Sequence, residues 1–102
     1  MNRLYVIVRR DLKPGMKIAQ SCHAMAAFAE EHPSVTSLWH EGGNNLICLE
    51  CDANELALMA EQSIQRGALV SLFREPDLGN ELTAIAISGE AKSMLRRLPL
   101  AA

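Results

Sequence analysis

The 102-residue sequence predicts an α/β fold: a four-stranded mixed sheet with helices on both faces. Three observations lead there. Short β-branched apolar runs alternate with longer segments of helical character. The last two runs are separated only by a polar loop. The first run is apolar almost without interruption, as a strand covered on both faces requires.

The elements follow in order. "LYVIVRR", Leu4 to Arg10, is β-branched and aromatic and predicts the first strand. "DLKPG" breaks it through Pro14 and Gly15. A helix from about Gly15 to Glu31 follows, stopped by Pro33. "SVTSLWHEGG" predicts a short helix opened by Ser34 and closed at Gly42, which Trp39 pins to the core. "NNLICLEC" is the second strand. Asp52, with Glu55 three residues on, makes a capping-box-like start for the helix "ANELALMAEQSIQR", ended by Gly67. "ALVSLFR" is the third strand, "EPDLGNE" a polar loop, "LTAIAIS" the fourth strand, and "EAKSMLRRL" a last short helix before Pro99.

The length suits one domain, residues 1–102, able to bury a core without staples. Only 4% of residues are aromatic, so the core should be aliphatic. No apolar run approaches the roughly 20 residues of a membrane span. The apolar run before Arg9 and Arg10 is too short for a signal peptide. A cytoplasmic chain is expected, with its three cysteines as free thiols. Cys48 and Cys51 have C-x-x-C spacing, but on a strand they point to opposite faces, so neither a metal site nor a cofactor is expected.

The net charge is −2, unevenly spread. Residues 1–29 hold five basic groups against Asp11 alone, whereas residues 30–65 hold seven acidic groups and no Lys or Arg. A local basic patch can therefore exist on an acidic protein, unless folding intermixes the charges.

In "GMKIAQSCHA", Lys17, Gln20 and His23 recur at a spacing of three among small or apolar residues. At about 100° per residue, Ile18, Cys22, Met25, Ala26 and Ala29 gather on one side, the expected core stripe. Lys17, Gln20 and His23 then form a solvent-facing arc opposite it. Lys17 beside free N–H groups at a helix start would suit an anion. Taken alone, such an arc also fits an ordinary polar surface or a homodimer contact.

"LYVIVRRDLKPGMKIAQSCHA" resembles the opening of the type 2 peptidyl-tRNA hydrolase family, which has a V-x-V-R-x-D-L strand, a Gly-Lys turn and a helix carrying A-Q-x-x-H-A. "LTAIAIS" is similar to that family's T-x-L-A-I-G strand, with Thr83 at its threonine. Trp39 followed by Gly42 or Gly43 fits its middle. The likeness spans nearly the whole chain in the same element order. Two features depart from it: Met16 stands at the family's lysine, leaving Lys17 as the nearby ammonium, and "REPDLGNEL" replaces the D-A-G-x-T and P-G-S segment.

The resemblance implies a mixed four-stranded sheet, a homodimer, and cleavage of the ester between a peptide and the tRNA 3′ ribose. No nucleophile elbow or Ser-His-Asp order is present, which favours attack by activated water. On that basis His23 is the base or water-orienting group, Asp77 or Glu75 its acidic partner, and Gln20 a binder of the substrate's polar groups. Lys17 supplies positive charge and Thr83 a hydrogen bond to substrate or water. Arg9, Arg10, Lys13 and Lys17 hold RNA phosphates. The alternative is a family-like module without hydrolysis that binds RNA, a nucleotide or a protein partner as a homodimer.

Overall fold

A computed structural model describes residues 3–102. Strand β1 (Arg3–Arg9) lies inside the sheet, buried on both faces from Leu4 to Val8, which is why its sequence shows no apolar–polar alternation. Next come helix α1 (Pro14–Glu31) and helix α2 (Pro33–Glu41), then strand β2 (Asn45–Cys51) and helix α3 (Ala53–Gln65). Strand β3 (Val70–Glu75) and strand β4 (Glu81–Ser88) follow, and a 3₁₀ segment (Gly89–Met94) replaces the expected last helix. The sheet order is β2-β1-β4-β3; β1 pairs parallel with β2 and antiparallel with β4, which pairs antiparallel with β3. The four-stranded mixed sheet predicted from sequence is thus present.

Two clusters cover its two faces. Tyr5, Ile7, Leu49, Cys51, Ile85 and Ile87 pack with Leu56, Met59 and Ala60 of α3. Leu4, Val6, Val8, Ala84 and Ala86 pack with Ala24 and Phe28 of α1, and Trp39 of α2 leans on this second cluster. The indole Nε1 donates to the Asn45 carbonyl at 2.9 Å, which ties α2 to the start of β2. Cys48 and Cys51 do face opposite sides. Asp52 caps α3 by accepting from the Glu55 amide at 2.8 Å.

The core stripe expected on α1 is corrected. Ile18 is 67% exposed, and Cys22 and Ala26 are exposed as well. The buried residues are Gln20, Ala24 and Phe28, four apart, so one face of the helix goes down onto the sheet with an amide at its head. The apolar wheel misses this because that amide is satisfied by partners remote in sequence.

The register between β3 and β4 shifts at Phe73/Arg74: Phe73 pairs with Ala84 and Arg74 with Leu82, so Thr83 is the additional residue of β4. This bulge reverses the facing of the strand. Ile85 and Ile87 face α3, and Leu82 also joins that cluster, so Thr83 is released to point towards α1.

Candidate active site

The buried head of α1 meets the ends of β3 and β4. Gln20, 1% exposed, donates from Nε2 to Glu75 Oε1 at 2.7 Å and accepts on Oε1 from the Thr83 hydroxyl at 2.5 Å. The hydroxyl–amide–carboxylate chain fixes the orientation of the amide, since only one arrangement of its oxygen and nitrogen serves both partners. Glu75, 9% exposed, is further held by the Asp77 amide, which donates to Oε2 at 3.3 Å. A one-turn 3₁₀ segment (Pro76–Leu78) makes that contact, and Gly79 and Asn80 in left-handed conformations turn the chain back into β4. The Gln20 amide, then the Asp77 amide, then the nearby His23 hold the Glu75 carboxyl below its ordinary range, so it is ionised at neutral pH.

His23 lies one turn further along α1, exposed, with its ring stacked on Phe73: the centroids are 4.6 Å apart and the planes 22° from parallel. Phe73 and Glu75 are two residues apart on β3 and so project from the same face. The rim of the sheet therefore presents an imidazole on an aromatic surface beside an oriented carboxylate.

Of the residues singled out from sequence, Gln20, His23, Thr83 and Glu75 come together here, and three expectations are corrected. Gln20 is not on a solvent-facing arc; it is buried and fully engaged with Thr83 and Glu75. Asp77 contributes its backbone amide, while its side chain is exposed; β3 ends at Glu75, which faces α1, and Asp77 already lies in the 3₁₀ turn beyond it. Lys17 leaves the cluster. Its Nζ pairs with Glu50 Oε1 at 2.8 Å on β2 and donates to the Ala102 carbonyl at 3.1 Å. β2 and β3 are the outer strands of the sheet, about 14 Å apart for three interstrand steps. Lys17 instead lines an apolar groove of about 510 Å³ with Ile18, Met25, Trp39, Leu46 and Cys48 on the β2 flank. The expectation of an anion bound at Lys17 falls with it, because Glu50 already occupies the ammonium.

The expected phosphate-binding set is likewise divided. Arg9, its side chain 11% exposed, grips Asp11 through Nε (3.0 Å) and Nη2 (2.7 Å) and reaches Glu81 at 2.5 Å. Asp11 first and then Glu81 push the Arg9 pKa further up. Arg9 thus ties the end of β1 to the start of β4, and its donors are spent on carboxylates. Arg10 is half exposed, with Asp52 at 3.8 Å, and Lys13 is exposed with no ion pair among the described residues. These two remain open to an anion. Phe73 was not singled out from sequence, since one aromatic residue in an apolar strand reads as core; only the packing of α1 on β3 brings it under His23. Among the described residues no cluster of three or more His, Cys, Asp or Glu can hold a metal, and no helix is long and apolar enough to cross a membrane.

Such a four-stranded mixed sheet, with a buried hydroxyl–amide–carboxylate chain where a long helix meets its rim, defines a small α/β protein. More narrowly, the chain belongs to the family described as Peptidyl-tRNA hydrolase PTH2, whose model matches residues 2–98. Its fold is similar to that of a protein of unknown function from Agrobacterium tumefaciens strain C58. The TM-score is 0.71 at 15% identity, covering 98% of this chain and 97% of the other. No curated protein matches the sequence.

Proposed function

We propose that the protein hydrolyses the ester between a peptide and the tRNA 3′ ribose, with His23 as the base. The observation that carries this is the Thr83–Gln20–Glu75 chain, which holds an ionised carboxylate beside an exposed imidazole in a member of this family. His23 takes a proton from water, and the resulting hydroxide adds to the ester carbonyl. The imidazolium then lies beside the oxyanion of the tetrahedral intermediate and is itself balanced by Glu75. Collapse breaks the bond to the ribose, and His23 returns its proton to the departing 3′ oxygen. The products are the free peptide acid and a tRNA with a free 3′ hydroxyl. Thr83 and Gln20 act through Glu75 rather than on the substrate. Arg10 and Lys13 contact tRNA phosphates, which makes binding fall steeply with salt. A single-domain, cytoplasmic homodimer belongs to the same reading, and sedimentation velocity tests the dimer.

The second reading, a module that binds RNA, a nucleotide or a protein without hydrolysis, is favoured by one observation. Met16 replaces the family's lysine, and Glu50 holds the neighbouring ammonium of Lys17 away from His23. Release of peptide from a peptidyl-tRNA analogue separates the two. Turnover by wild type that is lost in His23→Ala and strongly reduced in Glu75→Gln supports the first. Salt-sensitive tRNA binding without turnover supports the second.

A further inference from the structure

An exposed histidine on a helix has free side-chain torsions, and a base must be held within about 0.5 Å and 10–20° of its working geometry. Immobilising such a side chain at the moment of binding costs conformational entropy that a preformed restraint avoids. One observed contact restrains His23 before any ligand arrives. Glu75 stands at the same rim of the sheet, and Phe73 lies flat beneath the His23 ring at 4.6 Å. A hydrogen bond restrains one nitrogen but leaves the ring free to pivot about it, whereas a nearly parallel aromatic surface fixes the plane.

The surroundings of Phe73 show why it can do this. It is half-buried and belongs to the cluster beneath α1, so its own ring is wedged by the sheet. It pairs with Ala84, whose small side chain leaves the space above β4 to the phenyl ring. On the same face of β3, Ser71 is tied to Glu31 of α1 at 2.7 Å and Glu75 to Gln20 at 2.7 Å. Helix and strand are therefore clamped on either side of the stacked pair. The distance between the two rings is set by those clamps rather than by the stack itself.

We propose that Phe73 is a positioning residue that holds the His23 ring in its working plane through the stacked contact. The proposal rests on His23 being the base, and it asks of residue 73 a flat surface rather than volume. Leucine fills a comparable volume without the surface, and tyrosine keeps the surface.

The test compares Phe73→Leu, Phe73→Tyr and His23→Ala in peptide release from a peptidyl-tRNA analogue, with rates normalised to folded protein by circular dichroism. Phe73→Leu lowers kcat by roughly ten- to a hundredfold with KM unchanged, and Phe73→Tyr restores it. In NMR spectra, the carbon-bound protons of the His23 ring move upfield under the phenyl current, and Phe73→Leu removes that shift. Wild-type kcat in folded Phe73→Leu, a change confined to KM, or failure of tyrosine to restore activity overturns the proposal. Full activity in His23→Ala overturns the assignment of the base instead. Should the wild type show no turnover, the NMR measurement decides alone: His23 ring shifts unchanged in Phe73→Leu mean that no stack positions the imidazole.

Discussion

Thr83→Val removes one hydroxyl and keeps the shape of the side chain, which makes it the sharpest perturbation of the buried chain under α1. Thr83 is wholly buried, and its hydroxyl is the donor to Gln20 Oε1 at 2.5 Å. Without it that oxygen remains in a dry site with no donor, a penalty of about 1–3 kcal/mol. The new methyl group returns about 0.8 kcal/mol of apolar burial. The expected net loss is about 0.2–2 kcal/mol, or roughly 1–15 °C in Tm for a chain of this size. Urea unfolding followed by circular dichroism and by Trp39 fluorescence measures it, with the midpoint falling and the m-value unchanged. Combining Thr83→Val with Gln20→Leu should give a loss smaller than the sum of the two, with a coupling of about 0.5–3 kcal/mol. Thr83→Val as stable as wild type, or strict additivity in the double variant, refutes the reasoning that the hydroxyl holds Gln20 and, through it, Glu75.

Acid is expected to destabilise the protein through a specific set of carboxylates. Asp11, Glu50 and Glu75 all have folded pKa values below the ordinary ones, held there first by Arg9, Lys17 and Gln20 respectively. The unfolded chain therefore binds protons first as pH drops. The stabilisation is complete above the ordinary values of 3.8 and 4.5 and is lost as pH falls through the lower folded values. Urea midpoints between about pH 6 and about pH 3 follow this, and Glu50→Gln should flatten the profile; a wild-type profile already flat over that window contradicts it. Ser63→Ala is expected to stabilise. Its hydroxyl is fully buried in α3 with no partner among the described residues, and alanine is the better helix former, so a gain of about 1 kcal/mol is expected from chemical unfolding. A measured loss would mean that the hydroxyl has a partner in solution.

Much of this molecule is written locally. Leu4 to Val8 are apolar without alternation because both faces of β1 are covered, and that pattern needs no knowledge of the partners. Asp52 and Glu55 mark the start of α3 through a contact three residues long. The motif around Gln20 and His23 and the threonine at 83 carry the family likeness in the chain itself.

What the chain alone leaves open are relations between residues distant along it. The rotation of α1 is one: an amphipathic wheel assigns apolar residues to the core, yet Gln20 is inside and Ile18 outside. The sheet supplies Thr83 and Glu75 to satisfy the amide, 63 and 55 residues further on. Glu75 and Asp77 have equal strand parity, so the selection of Glu75 depends on where β3 ends and the 3₁₀ turn begins. The facing of Thr83 depends on a register shift that no periodicity of β4 reveals. The separation of Lys17 from His23 comes from the order of the strands, which carries Glu50 and Phe73 to opposite edges of the sheet. Local backbone preference and apolar patterning act over a few residues and are legible in sequence, whereas the pairing of buried polar groups is settled only when strands and helix close on one another.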